Sequence, residues 1–374
     1  MTESSRDGGE FRLVRTLTRD TRRVFAEAWR GSLLRSFART FEDLEAFYLS
    51  EERRRRLAGM GVVRRWLHLA SWLFKSLFQN LNPARRVLLA LALILLWGRA
   101  QWRAEGHGLG VDFGGLAIGL LLLLLMLELK DKLVARSELQ AGRVIQQALL
   151  PKAAPQVPGW DVWISTRPAN EVGGDLVDFV THEDGRVGLV LADVCGKGLP
   201  AALLMARLQA TVLAFVPELP SLAALASKLH KLFRTRGLEH RFATLVYLEL
   251  DPRSSRVRLV NAGHMPPLVV AQGQIRPLPA GGPALGIPTA ATYEEQAVDL
   301  GAGQTLVVYS DGVTEAMNER DAYFGDERLL ASLRETAGSP AAEVAHDLLA
   351  AVDAFVGEAR WHDDVSLVVV RRAG

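Results

Sequence analysis

The chain has 374 residues, of which 49% are hydrophobic and 23% charged. This length allows two or three units of ordinary domain size and excludes a small scaffold held together by disulfides. The single cysteine, Cys195, excludes an intramolecular disulfide and a multi-cysteine zinc site. Residues 1–104 carry 20 Lys and Arg against 10 Asp and Glu, whereas residues 105–374 carry 24 against 32. A basic first part and an acidic second part predict different surroundings for the two.

Residues 1–82 are predicted to form a basic helical region in the cytoplasm or on a membrane surface. Segment 66–78 (WLHLASWLFKSLF) places aromatic residues at helical spacing, close to the arginines at 53–56. This pattern is typical of a helix lying on anionic lipid, and an ordinary packed helix is an equal alternative. Because the basic sequence leads into apolar sequence rather than into a basic folded module, it does not indicate nucleic-acid binding.

Two uncharged runs follow, 87–98 (VLLALALILLWG) and 113–127 (FGGLAIGLLLLLLML). Each is shorter than the roughly 20 residues of a full helical span, but flanking arginines can extend to the interface. The runs predict a transmembrane hairpin over 83–128, with helices at about 86–102 and 109–128. The alternative is a pair of buried core helices, which a six-leucine run without amphipathic period disfavours.

Positive residues on both sides of the hairpin predict that both of its ends face the cytoplasm. Arg85 and Arg86 precede it, and Lys130 and Lys132 follow it. Segment 129–150 has no proline and predicts one continuous linker helix, which prolines from Pro151 onward terminate. A homodimer formed through the 128–150 helix is a hypothesis at this stage.

Beyond Trp160 the pattern changes to short β-type runs, which place a separate domain at 151–374. Helical patterns occur at 199–216, 219–236, 326–337 and 340–357. The β-type runs are DVWISTRP, DLVDFV, VGLVLADV, FATLVYLEL, RVRLVNAG, PPLVVA, EQAVDL, TLVVYSDG and DVSLVVV. Several runs are separated by hairpin-length gaps, so the sheets are predicted to be largely antiparallel. The order of elements favours a two-sheet sandwich with outer helices over a doubly wound α/β fold.

Carboxylates fall at the ends of several of these predicted strands: Asp175, Asp193, Asp311, and the pair Asp363 and Asp364. One aspartate at a strand end is most often a turn or cap residue. In a sandwich, however, strand ends of both sheets can meet at one rim, where carboxylates repel unless a cation offsets them. Oxygen ligands without His or Cys favour Mg²⁺ or Mn²⁺ over zinc.

Five segments in register carry a resemblance to a known family. They are 171–179 (EVGGDLVDF), 192–205 (ADVCGKGLPAALLM), 261–267 (NAGHMPP), 309–316 (YSDGVTEA) and 363–368 (DDVSLV). Together they resemble the bacterial PPM-type serine/threonine phosphatases of the SpoIIE and RsbU kind, and segment 145–151 (IQQALLP) is similar to the entry helix of that family. The resemblance covers roughly residues 140–372 and says nothing about residues 1–104.

The resemblance implies an α+β fold, a PPM-type β-sandwich of two antiparallel sheets flanked by helices and preceded by a helical membrane-associated region. It also implies two Mn²⁺ or Mg²⁺ ions. Asp193 would be shared by both ions, with the Val194 carbonyl beside it. The other expected ligands are Asp175, Asp311 and one or both of Asp363 and Asp364, the first being favoured and the second capping the turn. Asp178 is expected to be structural or to support a ligand.

The implied reaction is hydrolysis of a phosphoserine or phosphothreonine monoester by a metal-bridging hydroxide. Asp193 and His264 are the catalytic candidates. His264 is one candidate for protonating the leaving group, and a metal-bound water is another. Alternatively, His264 is a turn residue that hydrogen-bonds the backbone. Cys195 is a poor acid, and Lys197 either steers phosphate or lies on the surface.

The expected protein is therefore a phosphatase in the cytoplasmic (inner) membrane of a bacterium, with its catalytic domain in the cytoplasm. The resemblance implies a phosphorylated protein substrate of the anti-anti-sigma type. Two alternatives are a catalytically weak membrane-tethered adaptor and another two-metal phosphoesterase such as a nuclease. The acidic charge of residues 105–374 disfavours the nuclease.

Overall fold

The computed structural model describes residues 81–104, 113–236 and 241–374, together with six residues between 68 and 79. The predicted basic region 1–82 and the turn of the predicted hairpin thus fall almost wholly outside the described residues. The chain divides into two compact units between Asp131 and Lys132. Each unit is described by itself.

The described elements agree closely with the pattern of the sequence. The helices are α1 (Pro83–Ala104), α2 (Phe113–Leu149), α3 (Leu199–Phe215), α4 (Leu222–Arg236), α5 (Asp311–Thr314), α6 (Gly325–Glu335) and α7 (Ala341–Val356), with a 3₁₀ turn at Val216–Glu218. The strands are β1 (Trp160–Arg167), β2 (Leu176–Thr181), β3 (Val187–Val194), β4 (Ala243–Leu250), β5 (Arg256–Ala262), β6 (Leu268–Ala271), β7 (Gln274–Pro277), β8 (Glu295–Asp299), β9 (Thr305–Tyr309) and β10 (Val365–Arg372).

In the first unit, α1 and the first part of α2 run antiparallel. Arg85, near the start of α1, places Nη1 2.8 Å from Glu128 Oε1 and Nη2 2.5 Å from Asp131 Oδ2. These ion pairs tie the first turn of α1 to a point midway along α2. Beyond these ion pairs, both helices expose large apolar side chains, including Ile94, which is 66% exposed, and Leu125, which is 62% exposed.

Among the described residues, the helical segment that is long and apolar enough to cross a membrane is Leu199–Glu218. This segment comprises α3 and the 3₁₀ turn, and several of its side chains lie in the core of the second unit. Its hydropathy is therefore explained by packing inside a folded domain. The uncharged runs in α1 and α2, of twelve and fifteen residues, are shorter.

The second unit contains two five-stranded sheets. Sheet A has the order β1-β10-β9-β6-β7 and sheet B the order β2-β3-β4-β5-β8. Every pair of neighbouring strands is antiparallel. The predicted sandwich of two antiparallel sheets flanked by helices is therefore confirmed.

Three apolar layers explain why the strands have nearly continuous hydrophobic sequences. Leu189 and Leu191 of β3 point into the layer between the sheets, whereas Val190 and Ala192 point into the layer that joins sheet B to α3 and α4. A third layer joins sheet A to α6 and α7. Because helices cover the outer face of each sheet, a central strand is buried on both sides and loses the polar alternation of a half-exposed strand.

The gap at 272–274 has the length of a hairpin turn, but the strand that follows it, β7, is not among the predicted β-type runs. Gln272 and Gly273 form the turn of the β6–β7 hairpin with φ of 51° and 77°, the left-handed conformations that a two-residue type I′ turn requires. Strand β7 (QIRP) contains one large apolar residue and is mostly exposed. It therefore lacks the hydrophobic signal on which strand prediction depends.

The antiparallel connections bring the predicted acidic positions to one rim. In sheet B, Leu176 pairs with Ala192, so the residue before β2 lies beside the end of β3. In sheet A, Tyr309 pairs with Leu367, so the end of β9 lies beside the start of β10. Strand β10 also contacts β2 and β3 of the other sheet, and the two rims meet.

Candidate functional site

A backbone loop formed by residues 171–174 makes one wall of the site and is held by Asp364. The Asp364 carboxylate is buried and accepts three backbone N–H groups: Ala169 to Oδ1 at 2.8 Å, and Gly174 and Asp175 to Oδ2 at 2.7 and 3.4 Å. Both of its oxygens are therefore used within the protein. These bonds join the start of β10 in sheet A to the loop that enters β2 in sheet B.

Asp175 lies next to this loop and is 4% exposed. Ser366 donates its hydroxyl to Asp175 Oδ2 at 2.5 Å. Burial raises the pKa of Asp175 well above its ordinary value, and the charges of Asp193 and Asp364 raise it further, while hydrogen bonds from Ser366 and Ser310 oppose the shift. The site thus holds a carboxyl group in surroundings that favour its protonated form when no cation is present.

Asp193, at the end of β3, lies at the centre of the acidic cluster. Burial raises its pKa to about 7, and the charges of Asp311, Asp363 and Asp364 contribute to the increase. A hydrogen bond with the carboxyl group of Asp175 acts in the opposite direction. Asp193 therefore interacts with each of the other four predicted carboxylates.

The sheet A side of the cluster contains Asp311 and Asp363. Burial raises the pKa of Asp311, and the charges of Asp363 and Glu315 add to this increase. Asp363 places Oδ2 3.2 Å from Lys197 Nζ, and its side chain is 41% exposed. Lys197 also donates to the His362 carbonyl. This lysine therefore joins the loop after β3 to the loop before β10.

The donor chemistry of the cluster fits hard divalent cations. Several carboxylates share one rim, where burial and then their mutual repulsion raise their pKa values, so a positive charge placed among them is favoured. The loop also approaches a backbone oxygen next to Asp193, because a Cβ atom on Gly174 would lie 2.7 Å from the Val194 carbonyl oxygen. Only glycine permits this approach of the loop to the carbonyl.

The side chains of the cluster are engaged with one another and with protein groups. Within residues 81–104, 113–236 and 241–374, no three Asp, Glu, His or Cys side chains are grouped as a ready-made metal site. Asp363 is paired with Lys197, and Asp175 is hydrogen-bonded to Ser366. Binding of a cation would replace these contacts with metal ligation.

His264 lies in the core next to the cluster, and both of its ring nitrogens have partners. Nε2 is 3.0 Å from the Tyr309 carbonyl oxygen, to which it donates, and Nδ1 is 2.7 Å from Thr244 Oγ1. Burial lowers the pKa of His264 to about 4. The ring is therefore neutral at pH 7, and its one N–H is used by a backbone carbonyl.

Asp178 is separated from the cluster by its position on β2. It accepts Gln209 Nε2 on Oδ2 at 2.7 Å and the Phe179 amide on Oδ1 at 2.8 Å. Burial raises its pKa. Its contacts link β2 to α3, so the structure places it among the residues that hold the domain together.

Two side chains at the site have no role assigned from the sequence. Ser366 bonds to Asp175, and Arg241 Nη1 donates to the Cys195 carbonyl at 2.7 Å. Ser366 belongs to the segment DDVSLV that carries the family resemblance. That motif indicates that Ser366 lies near the site, but it does not indicate the hydrogen bond to Asp175. Arg241 has no such signal, because its contact depends on how β4 pairs with β3.

Comparison with known proteins identifies the relatives of this chain. Residues 183–373, just over half of the chain, match the family described as stage II sporulation protein E (SpoIIE). Protein IcfG of Synechocystis is 28% identical over 278 residues, covering 66% of this chain and 43% of IcfG. Phosphoserine phosphatase RsbU of Bacillus subtilis is 29% identical over 245 residues, covering 63% of this chain and 70% of RsbU. This chain thus spans less than half the length of one of these two relatives.

The fold is shared with solved PP2C domains. The SiaA-PP2C domain of Pseudomonas aeruginosa superposes with a TM-score of 0.56 at 22% identity, covering 65% of this chain and 98% of that domain. At 22% sequence identity, this similarity shows a shared fold. It agrees with the two antiparallel sheets and flanking helices described above.

The contacts of Asp364 predict a large effect of its removal on stability. Asp364→Ala leaves three backbone N–H groups without their acceptor, and we expect it to lower the free energy of unfolding by about 3 kcal/mol or more. Asp363→Ala is the matched control and is expected to cost about 1 kcal/mol, because it loses one exposed ion pair and a single backbone N–H, that of Asp364, which Asp363 Oδ1 accepts at 3.0 Å. Urea unfolding of the metal-free proteins measures both. Equal losses in the two variants would contradict the assignment of these contacts.

The raised pKa of Asp193 predicts that the metal-free protein loses stability as the pH rises. Between the ordinary value of 3.8 and about 7, the folded state binds more protons than the unfolded state, so the free energy of unfolding falls across this window. We expect a fall on the order of 2 kcal/mol between pH 5 and pH 8, measured by urea unfolding with a chelator present. Asp193→Asn should show a clearly smaller fall. An unchanged pH dependence in that variant would contradict this explanation.

Proposed function

Because this chain belongs to the stage II sporulation protein E (SpoIIE) family, whose fold is that of PP2C phosphatases, we propose that it is a metal-dependent protein serine/threonine phosphatase. The observation that carries this proposal is the clustering of five aspartates from both sheets at one rim, centred on Asp193. The relative RsbU, which bears the name phosphoserine phosphatase, supports the reaction class.

Two Mn²⁺ or Mg²⁺ ions are the proposed cofactors. When bound, such ions supply a hydrolytic water of lowered pKa and positive charge that offsets the phosphate. We assign Asp193 as the shared ligand, with the Val194 carbonyl beside it. Asp175 and Asp311 are further proposed ligands. Asp175 directly precedes β2 of sheet B, and Asp311 follows β9 of sheet A, so the site depends on the packing of sheet A on sheet B.

Of the neighbouring pair, Asp363 is the proposed ligand. Both Asp364 oxygens accept backbone N–H groups, and replacing those bonds would free the loop that carries Asp175. The Asp363 carboxylate is partly exposed, and its ion-pair partner, Lys197, has a long and exposed side chain. Release of Lys197 would leave a cation close to the phosphate of a substrate, where it favours anion binding.

The proposed role of His264 is structural. Its ring joins Thr244 of sheet B to the Tyr309 carbonyl of sheet A, two residues before Asp311. A neutral imidazole whose N–H is already donated has no proton to give to a leaving group at neutral pH. His264 therefore stabilises the rim, and the proton for the leaving group comes from another source.

The proposed substrate is a phosphoserine or phosphothreonine on a signalling protein, probed first with a regulator of the anti-anti-sigma type. The side chains of Asp363 and Lys197 are 41% and 56% exposed, so a side chain of a folded partner can reach this edge of the cluster. Lys197 belongs to the loop after β3 and pairs with Asp363, and Arg241 donates to the Cys195 carbonyl of the same loop. These cations favour a doubly charged phosphate over a neutral ester.

We further propose that 83–128 forms a membrane hairpin, that 1–82 is a basic region beside it, that 129–150 is a linker helix and that 151–374 is the catalytic domain. The antiparallel pairing of Arg85 with Glu128 and Asp131 supports a hairpin with both ends on one side. The exposed leucines of α1 and α2 support burial in lipid. The proposed location is therefore the cytoplasmic membrane of a bacterium, with the catalytic domain inside. A dimer through the 128–150 helix is part of the same proposal.

The hairpin predicts opposite locations for its turn and for the C-terminus. A reporter enzyme fused after Gly106 should be active outside the cytoplasmic membrane, and one fused after Gly374 should be active inside. Arg85→Glu, which reverses the charge that pairs with Glu128 and Asp131, should lower the yield of this topology. Both reporters inside would contradict a membrane crossing.

Asp193→Asn tests the proposed chemistry. We expect it to reduce Mn²⁺-dependent phosphate release by more than the 10- to 100-fold that loss of a supporting residue around a metal typically causes. Asp178→Asn is the matched control, since Asp178 is also a buried aspartate but bonds to Gln209. Release of phosphate from p-nitrophenyl phosphate and from a phosphoserine protein measures both variants. Substantial Mn²⁺-dependent turnover in Asp193→Asn would contradict the role of Asp193 as shared ligand.

A further inference from the structure

The end of helix α2 contacts the loop that carries Asp175 through one buried glutamine. Gln146 is 5% exposed. Its Nε2 donates to the Gly173 carbonyl at 2.8 Å, and the Gly173 amide donates back to Oε1 at 3.1 Å. The side-chain amide thus pairs with both polar backbone groups of one residue, as a neighbouring strand would.

Other contacts place the same part of α2 along the loop. Arg143 and Arg136 lie 3.6 and 3.8 Å from the carboxylate of Glu171. A Cβ atom on Gly142 would meet Val172 at 3.7 Å, an ordinary van der Waals distance. Residues 171–173 therefore lie along the part of α2 between residues 136 and 146. Among these contacts, that of Gln146 is buried.

The end of α2 is also attached to β2 and α3. Gln209 donates Nε2 to the Leu149 carbonyl at 2.6 Å and to Asp178 Oδ2 at 2.7 Å. A fixed helix end is needed if Gln146 is to hold the loop in one position. Gln209 supplies this support by binding the carbonyl of Leu149, the last residue of α2.

The loop is thus held from two sides just before Asp175. Asp364 binds the amides of Gly174 and Asp175, and Gln146 binds both polar groups of Gly173. Without Gln146, a buried N–H and a buried C=O would lose their partners, and the loop would shift to regain them. A metal ligand must be held to within about 0.5 Å, so such a shift weakens ion binding.

We propose that Gln146 is a positioning residue that sets the backbone of the Gly173–Gly174 loop and thereby the ligand geometry of Asp175. This inference rests on the proposed metal-dependent phosphatase function. Gln146 touches neither the ions nor the substrate. It acts through the loop, so it governs the affinity for the cation more than the rate of the loaded enzyme.

The experiment compares the full-length chain with three variants. Gln146→Leu removes both hydrogen bonds at similar volume, and Gln146→Glu keeps the acceptor but places a carboxylate against the Gly173 carbonyl. Gln147→Leu is the matched control, because it makes the same change at the adjacent, exposed position of α2. Gln146→Glu retains a polar side chain of the same length, so it provides the result if the leucine variant does not fold.

The first readout is hydrogen–deuterium exchange in the metal-free protein. We expect faster exchange in the peptide covering 171–175 in both Gln146 variants, with no change in Gln147→Leu or in peptides of the distant β5–β8 pair. Unchanged exchange at 171–175 in both Gln146 variants would overturn the proposal. This readout requires neither a bound ion nor turnover.

The second readout is the Mn²⁺ dependence of p-nitrophenyl phosphate hydrolysis. The Mn²⁺ concentration for half-maximal activity should rise about 10- to 100-fold in the Gln146 variants, while kcat at saturating Mn²⁺ stays within about threefold of the parent chain. A loss of kcat without a change in the Mn²⁺ requirement would overturn the positioning role. If the parent chain hydrolyses nothing with either ion, the proposed function fails, and the exchange result decides the role of Gln146 by itself.

Discussion

The candidate site depends on holding several negative charges together against their repulsion. Asp175, Asp193 and Asp311 all have raised pKa values because burial and neighbouring carboxylates disfavour their charged forms. Such an arrangement destabilises the metal-free fold and becomes favourable when protons or cations bind. The surrounding structure therefore has to supply stability from elsewhere and keep the carboxylates in place.

The sandwich provides this stability by burying both faces of its central strands. Strand β3 contributes side chains to the layer between the sheets and to the layer under α3 and α4. It can therefore end in a carboxylate at the rim without losing its position. The glycine loop at 173–174 approaches the Val194 carbonyl, and the amides of that loop are bound by Asp364. Packing thus sets the strands, and hydrogen bonds set the loops between them.

Two glutamines give the end of α2 a place in this arrangement. Gln146 pairs with Gly173, and Gln209 joins Leu149 to Asp178. The helix is therefore more than a connection into the domain, since its last turn supports the loop in front of Asp175. In the first unit, the ion pairs of Arg85 with Glu128 and Asp131 have a comparable role, because they define the antiparallel pairing of α1 with α2.

The sequence by itself determined nine of the ten described strands, the order of the outer helices and the positions of the five aspartates, because these follow from local hydrophobic patterns and from motifs a few residues long. It could not assign roles within those motifs. Asp363 and Asp364 are adjacent and chemically identical, and only the folded chain shows that Asp364 is occupied by amides of residues 169–175, nearly 200 positions away. From the sequence alone, His264 could be the acid that protonates the leaving group. The structure shows instead a ring whose two nitrogens both have hydrogen-bond partners. Strand β7 and the contacts of Gln146 and Arg241 were decided in the same way, since each depends on which distant backbone groups the packing of the two sheets brings within hydrogen-bonding distance.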